Sequence, residues 1–129
     1  MVSDREGFQK TYDLTERVLP SQVNLKMPTM EEFAAHIVDQ QLRCHGLVSL
    51  KGLTYQRRNT ELRKTVKTLV NERLAQRTIE QVQVSTGEVF ILEAGWLESP
   101  LPRLNNRMLI LSPFDNSVIQ RERLKALFQ

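Results

Sequence analysis

The sequence predicts an α+β fold, and two adjacent patterns carry the prediction. In residues 59–77 the apolar side chains recur at a spacing of three and four, which is typical of one buried face of a helix. Directly after this helix, residues 78–84 alternate as a strand, residues 85–87 form a turn, and residues 88–92 return as a second strand. A helix followed at once by a β-hairpin is the back half of a winged helix-turn-helix. The apolar positions of the helix are Leu62, Val66, Leu69, Val70 and Leu74.

The opposite face of the same helix is polar and basic. Asn59 suits the N-cap position and Glu61 suits the positive end of the helix dipole. Seven basic and two acidic side chains give residues 57–77 a charge of +5, which exceeds the +3 of the whole chain. Such a face suits DNA phosphates, although a solvated face with internal charge pairs is the alternative interpretation. The candidate DNA-binding residues are Arg57, Arg58, Thr60, Lys64, Lys67 and Asn71.

The front half of the predicted module is a long helix and a short one. Thr29 and Glu32 are predicted to form a capping box that begins a helix. We expect this helix to end at Gly46, because glycine is common just after the last helical residue. Ser49 can then cap one or two turns. Long helix, short helix, basic helix and hairpin is the order of a winged helix. The apolar stripe of the long helix is Met30, Phe33, Ala34, Ile37, Val38 and Leu42, and the short helix presents Leu50 and Leu53.

The two ends of the chain are less regular. Residues 7–14 are predicted as a strand with Phe8, Tyr12 and Leu14 on one side, for which nothing before Gly7 supplies a partner. A single helical turn ends at Pro20, and residues 21–28 are predicted as a linker. We therefore expect two units: residues 1–25 as the tail of a preceding winged-helix module with its linker, and residues 26–129 as a winged-helix domain with a C-terminal extension.

In the extension we expect an irregular loop, a strand and a final helix. The loop covers residues 93–107 and is anchored by Trp96 and Leu97, and the strand covers residues 108–111. Asp115 or Asn116 then caps the helix, whose inward side chains are Val118, Leu124, Leu127 and Phe128. An apolar helix end with nothing after it is typical of a piece cut from a longer chain.

Composition excludes several classes of protein. The 129 residues, 40% hydrophobic and 26% charged, suit one soluble domain. The single Cys44 excludes an intrachain disulfide, suits a reducing compartment and is expected to be a buried or half-buried filler. No secretory signal opens the chain and no apolar run could span a membrane, so we expect a cytoplasmic protein without membrane contact. The oligomeric state is left open.

Two phrases of the sequence carry a family resemblance. They are residues 5–20, REGFQKTYDLTERVLP, and residues 109–128, LILSPFDNSVIQRERLKALF. These two segments resemble motifs of the crosslink-repair DNA glycosylases of the YcaQ/AlkZ type in residue identity, order and separation. The matching positions are Phe8, Tyr12, Asp13, Leu14, Arg17 and Pro20 in the first phrase and Leu111, Ser112, Pro113, Phe114 and Asp115 in the second. Residues 27–92 match in element order and hydrophobic pattern but hardly in identity.

The resemblance implies a bacterial protein of tandem winged helices that grips damaged duplex DNA and excises alkylated or crosslinked bases. It also implies that the catalytic Gln-x-Gln or Gln-x-Asp pair lies upstream of this chain. We therefore expect this chain to be a non-catalytic central fragment of an enzyme, without a cofactor. The resemblance implies double-stranded DNA and sister domains of the parent chain as its partners.

Other candidate sites are weak. Gln81-Val82-Gln83 matches the catalytic pattern by letter, but it lies on the predicted hairpin, where solvent-facing glutamines explain it. His36, Cys44 and His45 lack the four-ligand spacing of a zinc site, and Ser112 has no nearby histidine that could activate it. We expect no catalytic and no metal-binding residue in this chain. Three functions stay open: a DNA-binding module of a glycosylase, a structural winged helix that packs against sister domains, and a stand-alone transcription regulator.

Overall fold

The structure is a computed structural model that describes residues 1–101, 103 and 108–128. Within these residues the chain forms two antiparallel β-hairpins and five α-helices, so the predicted α+β class is confirmed. A short 3₁₀ turn covers Trp96–Glu98. In chain order the elements are β1 (Val2–Glu6), β2 (Gln9–Tyr12), α1 (Thr15–Val18), α2 (Met30–His45), α3 (Leu50–Leu53), α4 (Thr60–Ala75), β3 (Ile79–Gln83), β4 (Val89–Glu93) and α5 (Arg121–Phe128).

Helix α2 begins and ends at the residues that the sequence predicts. The hydroxyl of Thr29 accepts a hydrogen bond from the backbone N–H of Glu32 at 3.2 Å, and the Glu32 carboxylate accepts from the N–H of Thr29 at 2.8 Å. This reciprocal capping box satisfies two otherwise unpaired donors. Gly46 ends the helix with φ = 69°, and the Cζ2 atom of Trp96 lies 3.4 Å from where a Cβ on Gly46 would stand. A glycine fits here because side chains with a Cβ rarely adopt this positive φ, whereas the distance to Trp96 is an ordinary van der Waals contact.

Helix α4 is capped as predicted but ends earlier. The Asn59 side chain accepts from the N–H of Leu62 at 3.0 Å. The predicted range reached Arg77, whereas the helix ends at Ala75 because Arg77 takes the left-handed conformation, with φ = 57°. The N–H groups of Arg77 and Thr78 bond back to Leu74 at 3.1 Å and Arg73 at 3.0 Å. This is a Schellman ending with arginine where glycine is usual.

The core forms where α4 packs on α2, with the second hairpin alongside. The predicted apolar face of α4 is confirmed, since Leu62, Val66 and Val70 are buried and Leu69 and Leu74 pack against them. On α2, Phe33 departs from the prediction and is 39% exposed. The buried cluster consists of Ala34, Ile37, Val38, Leu42, Val48, Leu53, Leu62, Val66, Val70, Ile79 and Ile91.

The second hairpin is joined to the segment between α2 and α3. Val48 donates to and accepts from the backbone of Ile91 at 2.8–3.0 Å, so β4 lies between β3 and this short bridge. Both faces of β4 are covered as well. Ile91 enters the helical core, while Phe90 and Leu92 are fully buried on the opposite face. The predicted hairpin is therefore confirmed, and it contributes to the core on two sides.

The N-terminal prediction is wrong in one respect. The strand predicted to lack a partner is β2, and β1 pairs with it in antiparallel register around a turn at Gly7, where φ = 60°. The pairing was missed because β1 reads as charged, without the alternation of a half-buried strand. Phe8 at the turn is fully exposed, and the amino group of Met1 lies 2.9 Å from the carbonyl of Asp13. Helix α1 forms the predicted single turn.

Several C-terminal predictions are also wrong. Residues 108–111 form no strand and are exposed, and α5 begins at Arg121 instead of after Asp115. Asp115 instead organises a turn, because its carboxylate accepts from the N–H of Ser117 at 2.8 Å. Phe128, expected to face inward, is 82% exposed. The burial predicted for Cys44 of α2 is also wrong, because this residue is exposed.

In the predicted irregular loop, Trp96 and Leu97 are about half exposed and form the 3₁₀ turn. The rest of that loop prediction falls partly on Pro102 and residues 104–107, which lie outside the described residues.

Candidate nucleic-acid interface

The outer face of α4 carries the predicted polar stripe in an accessible form. Thr60, Lys64, Lys67 and Asn71 are all exposed, on the side of the helix turned away from α2. Arg58 is exposed just before the helix, and Arg57 is half-buried. The four helical residues therefore share one exposed face of α4, and the two arginines lie in the turn that leads into it. The sequence prediction missed Thr68, which is exposed and follows Lys64 by four residues, a spacing that puts it on the same stripe.

The remaining basic residues of this segment are partly engaged in holding the fold. The guanidinium of Arg63 donates through Nε to the carbonyl of Arg57 at 3.0 Å, which ties the turn before α4 to its first turn. Arg73 pairs with Asp39 of α2, and its side chain is only 21% exposed. The available cations are therefore concentrated at the N-terminal half of α4 and in the turn that precedes it.

The hairpin β3–β4 has the opposite charge. No lysine or arginine occurs from residue 78 to residue 102, while Glu80, Glu88, Glu93 and Glu98 are all exposed. The surface thus changes from cationic to anionic between the two halves of the predicted module. Phosphates are attracted to the α4 half and repelled from the hairpin.

The two glutamines that match the catalytic pattern by letter lie on β3. Gln81 and Gln83 are exposed on one face of the strand, as their spacing requires. The Gln83 amide donates to the carbonyl of Gly87 at 3.1 Å, across the turn of the same hairpin. Val82, between them, is half-buried on the other face.

A groove of about 940 Å³ opens next to the turn that precedes α4. Helix α3, the hairpin turn, residues 113–114 and the start of α5 surround it. Its lining combines three cations, two carboxylates, two aromatic rings and several amides and backbone groups. The lining residues are Ser49, Lys51, Gly52, Tyr55, Gln56, Glu88, Pro113, Phe114, Ile119, Gln120, Arg121, Glu122 and Arg123.

One wall of this groove continues into a buried polar cluster. The Gln120 side chain is 6% exposed, and its amide nitrogen lies 3.1 Å from Gln41 Oε1, 3.2 Å from His45 Nε2 and 3.4 Å from the carbonyl of Gly52. Arg123 donates to the carbonyl of His45 at 2.8 Å. It also donates to the carbonyls of Asn116 at 3.1 Å and Ser117 at 3.0 Å. The C-terminal segment is thereby held to the end of α2 by polar contacts.

Burial shifts the ionisation of this cluster. The pKa of His45 is lowered from its ordinary 6.5 by desolvation and then by the charge of Arg123, against the opposing effect of the Asn116 carbonyl. Burial also lowers the pKa of Arg123. Outside the cluster, hydrogen bonds from the backbone and side chain of Ser117 lower the pKa of the Asp115 carboxyl. The cluster is thus built around a neutral imidazole.

Within the described parts of the chain, no three His, Cys, Asp or Glu side chains come together as they would to hold a metal ion. Over those same residues, no helix combines the length and apolar character that crossing a membrane requires.

Comparison with known protein families decides the context of these surfaces. A family model described as DNA glycosylase AlkZ-like matches residues 1–129. The chain belongs to this family. No curated protein and no solved structure matches it. Membership in a family of DNA glycosylases associates the chain with DNA repair and makes DNA the macromolecule on which its family acts.

The family match also confirms the resemblance that rested on two phrases of the sequence. In this AlkZ-like chain the two phrases lie in different surroundings. Phe8 and Tyr12 of the first are exposed on the N-terminal hairpin, whereas Pro113 and Phe114 of the second line the groove beside α3. The groove is therefore formed in part by residues through which the chain resembles its family.

Proposed function

We propose that residues 26–129 form a winged-helix module that binds duplex DNA through the outer face of α4. On this proposal the chain is a non-catalytic part of an AlkZ-like glycosylase whose reacting residues lie elsewhere. The observation that carries it is the exposed, cationic N-terminal half of α4 in a chain whose family acts on DNA.

The winged-helix assignment is supported by element order and by one long-range pairing. A long helix, a four-residue helix, a second long helix and a hairpin follow one another as α2, α3, α4 and β3–β4. The isolated bridge between Val48 and Ile91 pairs the hairpin with the segment that joins α2 to α3. In helix-turn-helix proteins the helix after the turn is the one that enters the major groove. Here that helix is α4.

The residues of the interface divide by chemistry. Arg57, Arg58, Lys64 and Lys67 are proposed to contact phosphates, as cationic side chains do in most protein–DNA interfaces. Thr60 and Asn71 are short hydrogen-bonding side chains on the same stripe, and they are proposed to lie near base edges or the backbone. Because the hairpin carries only acidic charge, it is proposed to stay clear of the phosphates, so that α4 and the turn before it make the contacts.

The chain is proposed to comprise two units. Residues 1–25 contain the N-terminal hairpin, helix α1 and the first part of the linker, and we propose that they are the tail of a preceding module. Residues 26–129 form the module that begins just before the capping box of α2. The exposed aromatic residues of the N-terminal hairpin support this division, since Phe8 and Tyr12 lie outside the core around α2 and α4.

A second candidate function has an observation in its favour. The four exposed carboxylates of residues 80–98 make the hairpin side unsuitable for DNA. A winged helix that uses this side to pack against a basic surface of a sister domain would act as a structural spacer. The two functions make different demands on α4, because a spacer does not need Lys64 and Lys67.

The deciding experiment is charge reversal on α4. We expect Lys64→Glu combined with Lys67→Glu to weaken binding of the chain to a 20-base-pair duplex, measured by fluorescence anisotropy between 50 and 200 mM salt. Four phosphate contacts predict a log–log salt slope of about −3.6, which loss of two contacts reduces to about −1.8. The control, Lys10→Glu with Lys26→Glu, makes the same change in net charge at exposed positions outside α4. Equal effects of the two double variants would favour the spacer.

The absence of catalysis in this chain is tested separately. Incubation of the 129-residue chain with duplex DNA that carries 7-methylguanine is expected to release no free base above the rate of the DNA alone. Base release that disappears in a Gln81→Ala, Gln83→Ala variant would assign the hairpin glutamines a catalytic role and contradict the proposal.

A further inference from the structure

We propose that the groove beside α3 binds one unpaired nucleotide of DNA, with Lys51 and Arg121 on its phosphate and Tyr55 and Phe114 against its base. The inference rests on the proposed function only for how DNA reaches the groove, since a duplex held on α4 would supply the DNA strand that enters it. Binding of a duplex to α4 does not require a nucleotide in the groove, so either proposal can be contradicted while the other stands.

The size of the groove limits what it can hold. Its volume of about 940 Å³ is at the upper end of sites that enclose a single small ligand, about 300–1,000 Å³. A duplex is far larger than such a space, whereas a nucleotide that has left the base stack fits. Helix α3 forms one side of the groove, and Pro113 and Phe114 form another.

The cations of the groove differ in their availability. Arg123 already donates to three carbonyls and is half-buried. Lys51 and Arg121 are exposed, and in the described part of the chain neither forms an ion pair. Two carboxylates also line the groove, but Glu122 has Lys125 as a partner at 3.5 Å. Two free cations against one free carboxylate, Glu88, leave the groove able to take a phosphate.

The aromatic side chains supply the surface for a base. Tyr55 is 43% exposed and Phe114 is 81% exposed, both on the lining of the same groove. Proteins that bind single-stranded nucleic acid combine a positively charged groove with aromatic rings on which bases stack. Such a combination recognises a base that has left the duplex, since a paired base has both faces covered by its neighbours.

The chain connects the groove directly to the α4 surface. Tyr55 and Gln56 line the groove, and Arg57 and Arg58 follow them in the proposed interface. Gln56 has φ = 59°, a left-handed conformation that is unfavourable for glutamine. The turn is held in place because Tyr55 N–H bonds to Gly52 and Arg57 N–H bonds to Thr54, each at 3.0 Å. A DNA strand that leaves the α4 surface therefore has the groove next to it, since only a few residues of the chain separate the two.

The test compares DNA with and without unpaired nucleotides. The probes are a fluorescein-labelled 20-base-pair flush duplex, the same duplex with a five-thymidine overhang, and a ten-thymidine single strand. We expect the unmodified chain to bind the overhang duplex more tightly than the flush one. The Tyr55→Ser, Phe114→Ser variant is expected to lose about 5- to 100-fold on the single strand and to bind the flush duplex as before.

A matched control is available on the N-terminal hairpin. Phe8→Ser with Tyr12→Ser removes one exposed phenylalanine and one exposed tyrosine far from the groove in sequence, and it is expected to change nothing. A second variant, Lys51→Gln with Arg121→Gln, is expected to reduce the salt slope on the single strand by about 0.7, for the one phosphate that both cations contact. Circular dichroism checks that each variant is folded. If the aromatic variant does not fold, the cation variant provides the test.

The outcomes separate this inference from the proposed function. No preference of the unmodified chain for the overhang, or an equal loss in the Phe8 and Tyr12 control, would overturn the nucleotide site. Loss of single-strand binding in the groove variants supports it even if the α4 charge reversal leaves duplex binding unchanged. In that case the groove binds DNA without help from α4, and only the proposed function fails.

Discussion

The imidazole of His45 at the end of α2 and the side-chain amide of Gln120 just before α5 lie with their Nε2 atoms 3.2 Å apart. His45 Nδ1 is 2.9 Å from the carbonyl of Asn116, which can only accept, so Nδ1 carries the hydrogen and Nε2 is left to accept from Gln120. Two residues separated by 75 positions thus fix each other's orientation, and the imidazole that fits between them is neutral.

This relationship predicts a pH dependence of stability. Because the pKa of His45 is lowered in the folded chain, the folded state binds fewer protons than the unfolded state near pH 6.5. The contribution of His45 is therefore fully present above the unfolded pKa and is lost as pH falls through 6.5 toward the lowered value. We expect the urea midpoint to fall between pH 7.5 and 5.5, and His45→Asn to make this fall smaller.

The matched control for that experiment is on the same helix. His36→Asn changes an exposed histidine of α2 and controls for the loss of an imidazole from that helix. Asp115 does not interfere, since its lowered pKa acts below 3.8. Parallel curves for His45→Asn and the unmodified chain would show that His45 is not the group responsible.

Removing the guanidinium of Arg123 is expected to release the C-terminal segment. Arg123→Met leaves the carbonyls of His45, Asn116 and Ser117 without this donor, and a hydrogen bond to a charged group is worth about 1.5–3 kcal/mol. We expect a loss of about 2–3 kcal/mol in the free energy that holds α5 in place, observed as faster hydrogen exchange of its amides. Arg121→Met, at an exposed neighbouring position, serves as the control, and equal exchange in the two variants would contradict the prediction.

The arginine that ends α4 is expected to be replaceable with a gain in stability. Arg77 occupies a left-handed position at φ = 57°, which costs about 1–2 kcal/mol for a residue with a Cβ. Arg77→Gly removes this cost but adds flexibility to the unfolded chain, so we expect a net stabilisation of about 0.5–1 kcal/mol in urea unfolding. Arg77→Ala keeps the Cβ and is expected to give no gain. A gain from alanine as large as that from glycine would assign the effect to lost charge instead.

The capping box of α2 provides a test of local stability. Thr29→Ala removes the acceptor for the Glu32 N–H at the start of the helix that forms half of the core. The expected cost in the free energy of unfolding is about 1 kcal/mol. Gln40→Ala, at an exposed position in the same helix, is expected to cost nothing, because alanine favours the helix at least as much as glutamine. A Thr29→Ala variant as stable as Gln40→Ala would mean that the cap does not contribute.

The features that could be predicted from the sequence are local ones, which depend on residues close together along the chain. The buried face of α4, the caps at Thr29, Ser49 and Asn59, and the hairpin after α4 each depend on residues close together along the chain. Helical and strand periods, and capping side chains that reach backbone groups three residues away, are legible without tertiary contacts. The end of α4 was misplaced by two residues, since arginine is a good helix former and Arg77 gives no sign of its left-handed backbone.

Only the tertiary structure decided where the two ends of the chain lie. The charged sequence of β1 does not predict a strand, and only its pairing with β2 in the structure shows that it is one. The C-terminal segment is fixed by Gln120 and Arg123, which contact residues more than 60 positions away through buried polar groups. Polar contacts over such separations follow no period, because each depends on two specific atoms meeting at hydrogen-bond distance. The groove beside α3 is a product of the same contacts, since residues 113–123 become one of its walls only after they are held against α2 and α3.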